Sequence, residues 1–591
     1  MLMKKSVLTF LSILFCFVIQ AADYPLGDYV ELEDSKPVDT AAWNVLPAGI
    51  HFTWASKDVR YSYKNVPDVP FCSDTVIYAW RGERVSALAL IYSADADFDV
   101  SLSLSDFVGK EGRISGSAQA SFVNYVMTDG LNADGKGSCG ERPDHSLYDS
   151  SMVADVIDIA VKKSLKPRRV RPVWCTVEVP RDIMPGEYTG TLSLVRGDES
   201  IADIELSLQV VERSLPAPYD YTFHIDVWQQ PYSVSRYYQV PVWSDEHFDA
   251  MRPMMLALAR AGQKSISAEI IYEPWGDQSH DKFEPMIETV LERDGSWSYD
   301  YTVFDRWVEF MMECGIDREI KCFSMVPWDM SFRYFDEETG EYRMLNAPTG
   351  SPEYAAFWRP LLESFAAHLK EKGWYDITTI CMDERGLDAM LDAYNLLQEV
   401  LPGMKMALAG VYHPELVDKL YYYCVDFGEP FPIEEIERRR AEGRITTLYA
   451  CCSTGVPNAY TFSQPAESAV LPLNALQRGF DGFLRWAYNN WGEDPLRDSR
   501  YRLWGAGDSF MIYPGFRSSV RFERFVEGVQ CVEKIRILKE EFAAAGDTAR
   551  IAALDGLLDA FSRENITAEG AAPAVNRLQA FLNSSCRSDK R

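Results

Sequence analysis

From residue 219 to about residue 513 the chain alternates short runs of β-branched and aromatic residues with longer runs that place an apolar residue every three to four positions. Nothing else in the sequence constrains the fold as much. Regular strand–helix alternation over about 300 residues implies a parallel sheet with helices packed outside it. The strand-like runs are 222–227, 264–271, 320–326, 377–382, 405–409, 422–427, 446–451, 483–488 and 509–513. Helical periodicity predicts helices over 245–261, 302–314, 352–372, 387–400 and 465–477. Closing such a sheet gives a (β/α)8 barrel of the TIM type. Nine runs compete for eight places, and the sequence does not say which is surplus.

A different pattern precedes the barrel. Val173-Trp-Cys-Thr-Val-Glu-Val179 alternates as a half-buried strand does. Pro185-Gly186 pivots a turn, and the runs 188–195 and 201–211 read as a hairpin about Gly197-Asp198. Short strands with turn signals at this spacing predict a β-sandwich over 23–215. Residues 129–150, rich in Gly, Asp and Ser, read as a long loop inside it. Leu215-Pro216-Ala217-Pro218 is a stiff linker. The barrel is expected over 219–538, with its last helix starting near Val520, and a small helical segment over 539–591. The predicted class is therefore multidomain: an N-terminal β-sandwich, a (β/α)8 barrel and a C-terminal helical segment.

The first residues read as an address. Lys4 and Lys5 precede an apolar run over 7–19, and Ala21-Ala22 supply a small-residue cleavage site, so 1–22 is expected to be a signal peptide. Phe15 stands before Cys16 where lipidation would need a small residue. The expected destination is the periplasm or the exterior, and no other run is long and apolar enough to span a membrane. With 88 acidic against 59 basic residues the formal charge is −29, and loss of Lys4 and Lys5 makes it more negative. Such a surface argues against nucleic acid and anionic membranes as partners and suits neutral substrates.

Of twelve cysteines, Cys16 lies in the leader, which leaves an odd number and at least one thiol without an intrachain partner. No CxxC occurs and the seven histidines are scattered, so no metal site is read; His224-Ile-Asp226 is read as core. No P-loop, dinucleotide fingerprint or G-x-S-x-G elbow is present, and no cofactor is implied.

The residues that carry chemistry stand at the end of one strand. Ile377-Thr-Thr-Ile-Cys-Met-Asp383-Glu384-Arg385-Gly386 is an apolar β-branched run that ends in two acids and a glycine before a helix. Adjacent acids also occur at Asp198-Glu199, Asp245-Glu246, Glu337-Glu338 and Glu493-Asp494, where they read as solvated loop charges. Only Asp383-Glu384 falls where parallel barrels place their chemistry, at a strand's carboxyl end. Aromatic and amide residues collect at the same rim: Trp228, Trp275, Trp328, Tyr449, Trp486, Tyr488, Asn489 and Trp491. Flat rings around paired carboxylates suit a pyranose, which stacks through its C–H faces and hydrogen-bonds through its hydroxyls. Successive side chains on a strand point oppositely, so the pair is expected to aim one carboxylate beneath a sugar and the other at its glycosidic bond. Their protonation must then differ, and a neighbouring negative charge is expected to keep Glu384 protonated.

Four stretches in this order resemble the β-N-acetylgalactosaminidases of glycoside hydrolase family 123. They are Pro185-Gly-Glu-Tyr188-Thr-Gly-Thr, the Asp383-Glu384 pair, the segment from Gly482-Phe-Leu-Arg-Trp486 to Trp491, and Tyr513-Pro-Gly515 with Arg521, Glu523 and Glu527-Gly528. Arg485, Ala487 and Val529-Gln530-Cys531 depart from the expected pattern. The resemblance implies a secreted, exo-acting enzyme that releases terminal β-linked N-acetylgalactosamine with retention, the substrate's acetamido oxygen acting as nucleophile. It assigns Asp383 to the acetamido N–H and the oxazolinium cation, and Glu384 to acid–base catalysis. Tyr449 is a candidate donor to the acetamido oxygen. Trp486 and Trp491, with Trp228, Trp328, Tyr488 and Asn489, are candidate walls. Two alternatives stay open: a protein nucleophile, for which Glu273, Asp426 and Glu429 are candidates, and a glycan-binding protein without catalysis.

Overall fold

The computed structural model describes residues 29–584 except 133, 136 and 143; the leader expected over 1–22 lies outside the described residues. Eight parallel strands form one sheet: His224–Val227, Ser265–Glu269, Glu319–Phe323, Thr378–Asp383, Lys405–Gly410, Tyr422–Asp426, Ile445–Tyr449 and Gly482–Arg485. The first pairs with the eighth, and the ring is nearly closed between the first and second. There a single bridge joins Ile225 to Gln263, and the Gln263 amide spans the gap, accepting from Val227 N at 2.9 Å and donating to Val227 O at 3.1 Å.

Helices expected over 352–372, 387–400 and 465–477 form as Pro352–Lys372, Leu387–Val400 and Pro465–Gln477. The first shows why such boundaries are readable. Ser351 caps the Tyr354 N–H, Pro352 opens the first turn, and Gly373 closes the helix in the left-handed region.

Two features correct the simple (β/α)8 expectation. Between the fifth and sixth strands there is no α-helix, only the 3-10 turn Pro414–Leu416, because the connection from Gly410 to Tyr422 is too short for a packed crossover helix. The ninth candidate, 509–513, is not a strand. It is a buried loop whose backbone is satisfied piecemeal: Met511 N donates to Tyr488 O, Ser519 Oγ to Met511 O and the Arg521 guanidinium to Phe510 O. A small sheet that the sequence reading did not foresee, Glu288–Leu291, Trp297–Asp300, Ser331–Asp336 and Glu341–Asn346, lies in the connections around the third strand.

His224 and Asp226 point into a buried polar network at the barrel's centre. Asp226 pairs with Lys321 and accepts from Ser265 Oγ, while His224 Nε2 lies 3.5 Å from Glu319, which also accepts from Thr379 Oγ1 at 2.9 Å.

The N-terminal region holds a six-stranded and a seven-stranded sheet over one core. Phe52, Ile91, Phe122 and Val173 come from the first sheet and Tyr188, Leu192, Leu206 and Leu208 from the second. The predicted hairpin is Gly186–Arg196 with Glu199–Ser214, and Tyr188 OH donates back to Met184 O at 2.7 Å. The six-stranded sheet ends on Ser518–Ser519, which leads directly into the long helix Val520–Ala544.

That helix is the seam of the molecule. Glu523 pairs with Arg84 and Glu527 with Lys57, each closer than 3 Å, and Lys534 pairs with Glu83. Arg521 meets the buried Asp155 carboxylate at 2.9 Å, and Arg60 and Tyr513 contact the same carboxylate. Gly528 lets the helix lie against Pro465–Gln477: a Cβ there would fall 2.3 Å from Ala469 O. The closing motif that carries much of the family resemblance is thus structural, holding sheets and barrel together.

Candidate active site

A cleft opens at the carboxyl ends of the barrel strands. Asp383 is the last residue of the fourth strand, and Glu384 follows with φ at +49°, in the left-handed region that side-chain-bearing residues seldom adopt. This kink overrides the expected alternation. Asp383 and Glu384 both line the same cleft instead of facing opposite ways. The bent backbone is fixed by Glu384 N, which donates to Ala409 O on the fifth strand at 2.7 Å.

The two acids have different surroundings. Asp383 is half-buried; Trp328 Nε1 donates to its Oδ2 at 3.2 Å, and Arg385 Nε donates to its carbonyl at 2.9 Å. The Arg385 guanidinium lies 3.9 Å over the Trp328 ring. Burial first, and the Glu384 charge second, lift Asp383 from an ordinary 3.8 to about 7, against the smaller downward pull of Trp328 and Arg385. Glu384 is exposed to the cleft and accepts from Tyr449 OH at 2.8 Å. Burial and that carboxylate hold the Tyr449 phenol far above its ordinary range, so it is a donor at any working pH. The two acids of the pair thus differ in depth, Asp383 being half-buried and Glu384 exposed.

Aromatic rings form the walls. Trp228, after the first strand, stacks on Trp275 at 5.2 Å between centroids, and both rest on Phe323. Across the cleft Trp486 meets Trp504 edge-on at 6.2 Å. Trp486 is held by its Nε1 donating to Asp508 Oδ2 at 2.8 Å, and the other Asp508 oxygen pairs with Arg485 at 2.9 Å. Arg485 also donates to Ala450 O and Asn458 Oδ1. The arginine that departed from the expected motif thus has no access to the cleft and braces its wall.

Of the residues singled out from sequence, Asp383, Glu384, Tyr449, Trp228 and Trp486 line the cleft, and Trp328 stands beside Asp383 with 37% of its surface exposed. Tyr488, Asn489 and Trp491 do not line it. The strand ends at Arg485 and the chain bends at Trp486, so side chains beyond it turn into the packing behind the wall. Tyr488 OH donates to Met254 O, and Trp491 Nε1 to Ile512 O. Asn489 accepts from Gln230 N and donates to Gln230 O, so it positions a residue that does line the cleft. Glu273, Asp426 and Glu429 are likewise absent from the lining. Asp508, Trp504, Gln278, Cys451 and Cys452 line it without having been foreseen. The one available signal was Arg485: an arginine in a buried strand requires a carboxylate nearby, although the sequence does not say which.

A parallel barrel that opens two adjacent acids and five indole or phenol rings into one cleft is built as an enzyme that hydrolyses glycosides. The catalytic-domain model of glycoside hydrolase family 123 matches residues 228–538, and that family's N-terminal domain model matches 54–196. The chain belongs to glycoside hydrolase family 123. A family 123 glycoside hydrolase from Clostridium perfringens, solved for the details of glycolipid glycan hydrolysis, is similar with a TM-score of 0.80 at 25% identity, over 91% of this chain and 98% of that one. A family 39 glycoside hydrolase from the gut symbiont Bacteroides cellulosilyticus WH2 is far less similar, with a TM-score of 0.32 at 12% identity over 70% of this chain and 81% of that one. Among curated proteins none matches.

Proposed function

We propose that this hydrolase releases terminal β-linked N-acetylgalactosamine from glycans with retention, using the substrate's acetamido group as the nucleophile. One observation carries the reading. Asp383 and Glu384 open side by side on the cleft, and the third carboxylate lining it, Asp508, is committed to Arg485 and Trp486. A double displacement through a protein nucleophile needs a free carboxylate across the sugar from the acid, and none of the described residues lining the cleft supplies one.

In this scheme the acetamido oxygen attacks the anomeric carbon while the departing oxygen takes a proton from Glu384. An amide N–H donating to Asp383, and the positive charge that grows on the oxazolinium ring, both favour Asp383 as a carboxylate. Substrate binding thereby favours Glu384 as the protonated member of the pair. Glu384 then takes a proton from water as it opens the ring. Tyr449, bonded to Glu384 in the free site, orients that acid, and a role toward the acetamido oxygen requires it to exchange partners. Trp228, Trp275 and Trp486 supply the stacking surfaces, and Trp328 orients Asp383.

Glycolipid glycans, the substrates named for the Clostridium perfringens relative, are a reasonable class to try. Export through the leader is part of the same proposal and is supported by the Cys139–Cys452 disulfide, a bond that persists in oxidising compartments. The test is hydrolysis of chromogenic β-GalNAc, β-GlcNAc and β-galactose glycosides side by side, with Asp383→Asn and Glu384→Gln as controls. Cleavage of β-GalNAc alone, lost in both variants, is expected. Cleavage of the β-galactoside would refute acetamido participation, since that substrate has no acetamido group.

A further inference from the structure

The long loop that leaves the N-terminal sheets after Ala118–Thr128 does not stay with them. It reaches the barrel and bonds to two coil segments that reach the cleft, 451–461 and 499–508. Cys139 is disulfide-bonded to Cys452, 313 positions away. Beside that bond, Ser138 N donates to Cys452 O at 2.7 Å, and Ser138 Oγ donates to Tyr460 OH at 3.1 Å while accepting from Gly505 N at 2.9 Å. Asp129 accepts from Ala506 N at 3.0 Å, and Arg142 N donates to Arg502 O at 2.6 Å. Gly137 packs so tightly that a Cβ would lie 2.8 Å from Cys452 O.

Cys452, Trp504 and Asp508, all on the two braced segments, line the cleft. Neither segment carries a strand or helix of its own, so these bonds from the other region replace a scaffold. The hydrogen bonds of Asp383 and Glu384 go elsewhere, to Trp328, Arg385, Tyr449 and Ala409.

We propose that the 129–142 loop is a positioning element of the active site, and that the Cys139–Cys452 bond latches it so that the Trp504–Asp508 wall is preformed for the glycan. Because the latch holds the wall and not the catalytic pair, opening it weakens substrate binding and spares the chemical step. A dithiol reductant opens it by giving two electrons and two protons to the S–S bond, which leaves two thiols on the protein and the reductant as its cyclic disulfide.

The kinetic arm rests on the activity proposed above. After dithiothreitol, and in Cys139→Ser, KM for the β-GalNAc glycoside should rise about tenfold, the effect of ordering one or two cleft side chains at the moment of binding. kcat should stay within about twofold, and reoxidation of the reduced protein should restore KM. A second arm needs no turnover. Acrylamide quenching of tryptophan fluorescence should increase on reduction as Trp504 and Trp486 loosen. If no glycoside is cleaved, the activity proposal fails while this arm still tests the latch. Unchanged KM and unchanged quenching, with the opened bond verified by alkylation of Cys139 and Cys452, would overturn the proposal. So would a fall in kcat at constant KM, or labelling of Cys139 in the untreated protein beyond the background of the half-buried thiols Cys72 and Cys451.

Discussion

Asp383→Asn should make the protein more stable while abolishing its activity, and the gain should depend on pH in a defined window. Asp383 is lifted from 3.8 to about 7 in the folded protein, so between those values the folded state holds a proton that the unfolded chain has lost. Stability therefore falls as pH rises through the window, by about 1.4 kcal/mol per pH unit and by about 4 kcal/mol in all. Below the window both states are protonated and the aspartate carries no penalty; above it the full penalty is present and constant. Asparagine never ionises and has nearly the same shape. Its amide can turn so that Oδ1 still accepts from Trp328 Nε1, which now donates to Asp383 Oδ2. Since Asp383 is half-buried, solvent reduces the penalty, and the expected gain is about 2–4 kcal/mol near pH 8, shrinking to under about 1 kcal/mol near pH 4. Thermal unfolding of both proteins at several pH values between those limits measures it. A variant less stable than the parent near pH 8, or a gain that does not change with pH, would refute the account of what raises Asp383.

Four further substitutions test other contacts. Tyr449→Phe keeps the ring and deletes the bond to Glu384, a charge-assisted contact of about 1.5–3 kcal/mol. Steady-state kinetics should show kcat/KM down by about 10- to 150-fold with little change in Tm, and a change under about twofold would show that the phenol does not act through Glu384. Asp508→Ala strands the buried Arg485 and releases Trp486, so denaturant unfolding should show a loss of about 3–5 kcal/mol; a loss below about 1 kcal/mol would mean that Arg485 finds another partner. Gly528→Ala drives a Cβ against Ala469 O and should lower stability by about 1–3 kcal/mol, whereas Gly556→Ala, which meets nothing, should raise it by up to about 1 kcal/mol.

The parts of this fold that were legible in sequence are those written by local physics. Helices with a cap and a glycine stop, such as Pro352–Lys372, match the sequence reading at both ends, and eight of the nine proposed strands stand in the barrel. The failure at 509–513 is equally physical. Phe510-Met-Ile-Tyr513 has a strand's composition, but its backbone partners are scattered: the Ser519 hydroxyl, the Arg521 guanidinium, the Trp491 indole and the carbonyls of Tyr488 and Arg517. The acidic pair Asp383-Glu384 was legible because an apolar strand ran straight into it. The orientation of the pair was not, because one left-handed residue, Glu384, cancels the alternation that strand geometry predicts. Tyr488, Asn489 and Trp491 looked like site residues for the same reason that Asp508 was overlooked. Past Arg485 the chain leaves regular structure, and direction is then set by contacts that sequence spacing does not encode.

The helix Val520–Ala544 has a consequence for anyone who would recombine this protein. The two family models meet the chain as separate blocks, 54–196 and 228–538, which invites treating them as interchangeable cassettes. The helix contradicts that. One side of it packs into the barrel against Pro465–Gln477, and the other carries charges read by the sheets: Glu523 by Arg84, Arg524 by Asp58, Glu527 by Lys57 and Lys534 by Glu83. These pairs act as a lock whose halves are written about 450 positions apart in the sequence. A chimaera that takes its sheets from another family member inherits only one half, and should assemble only when the eight positions are exchanged together.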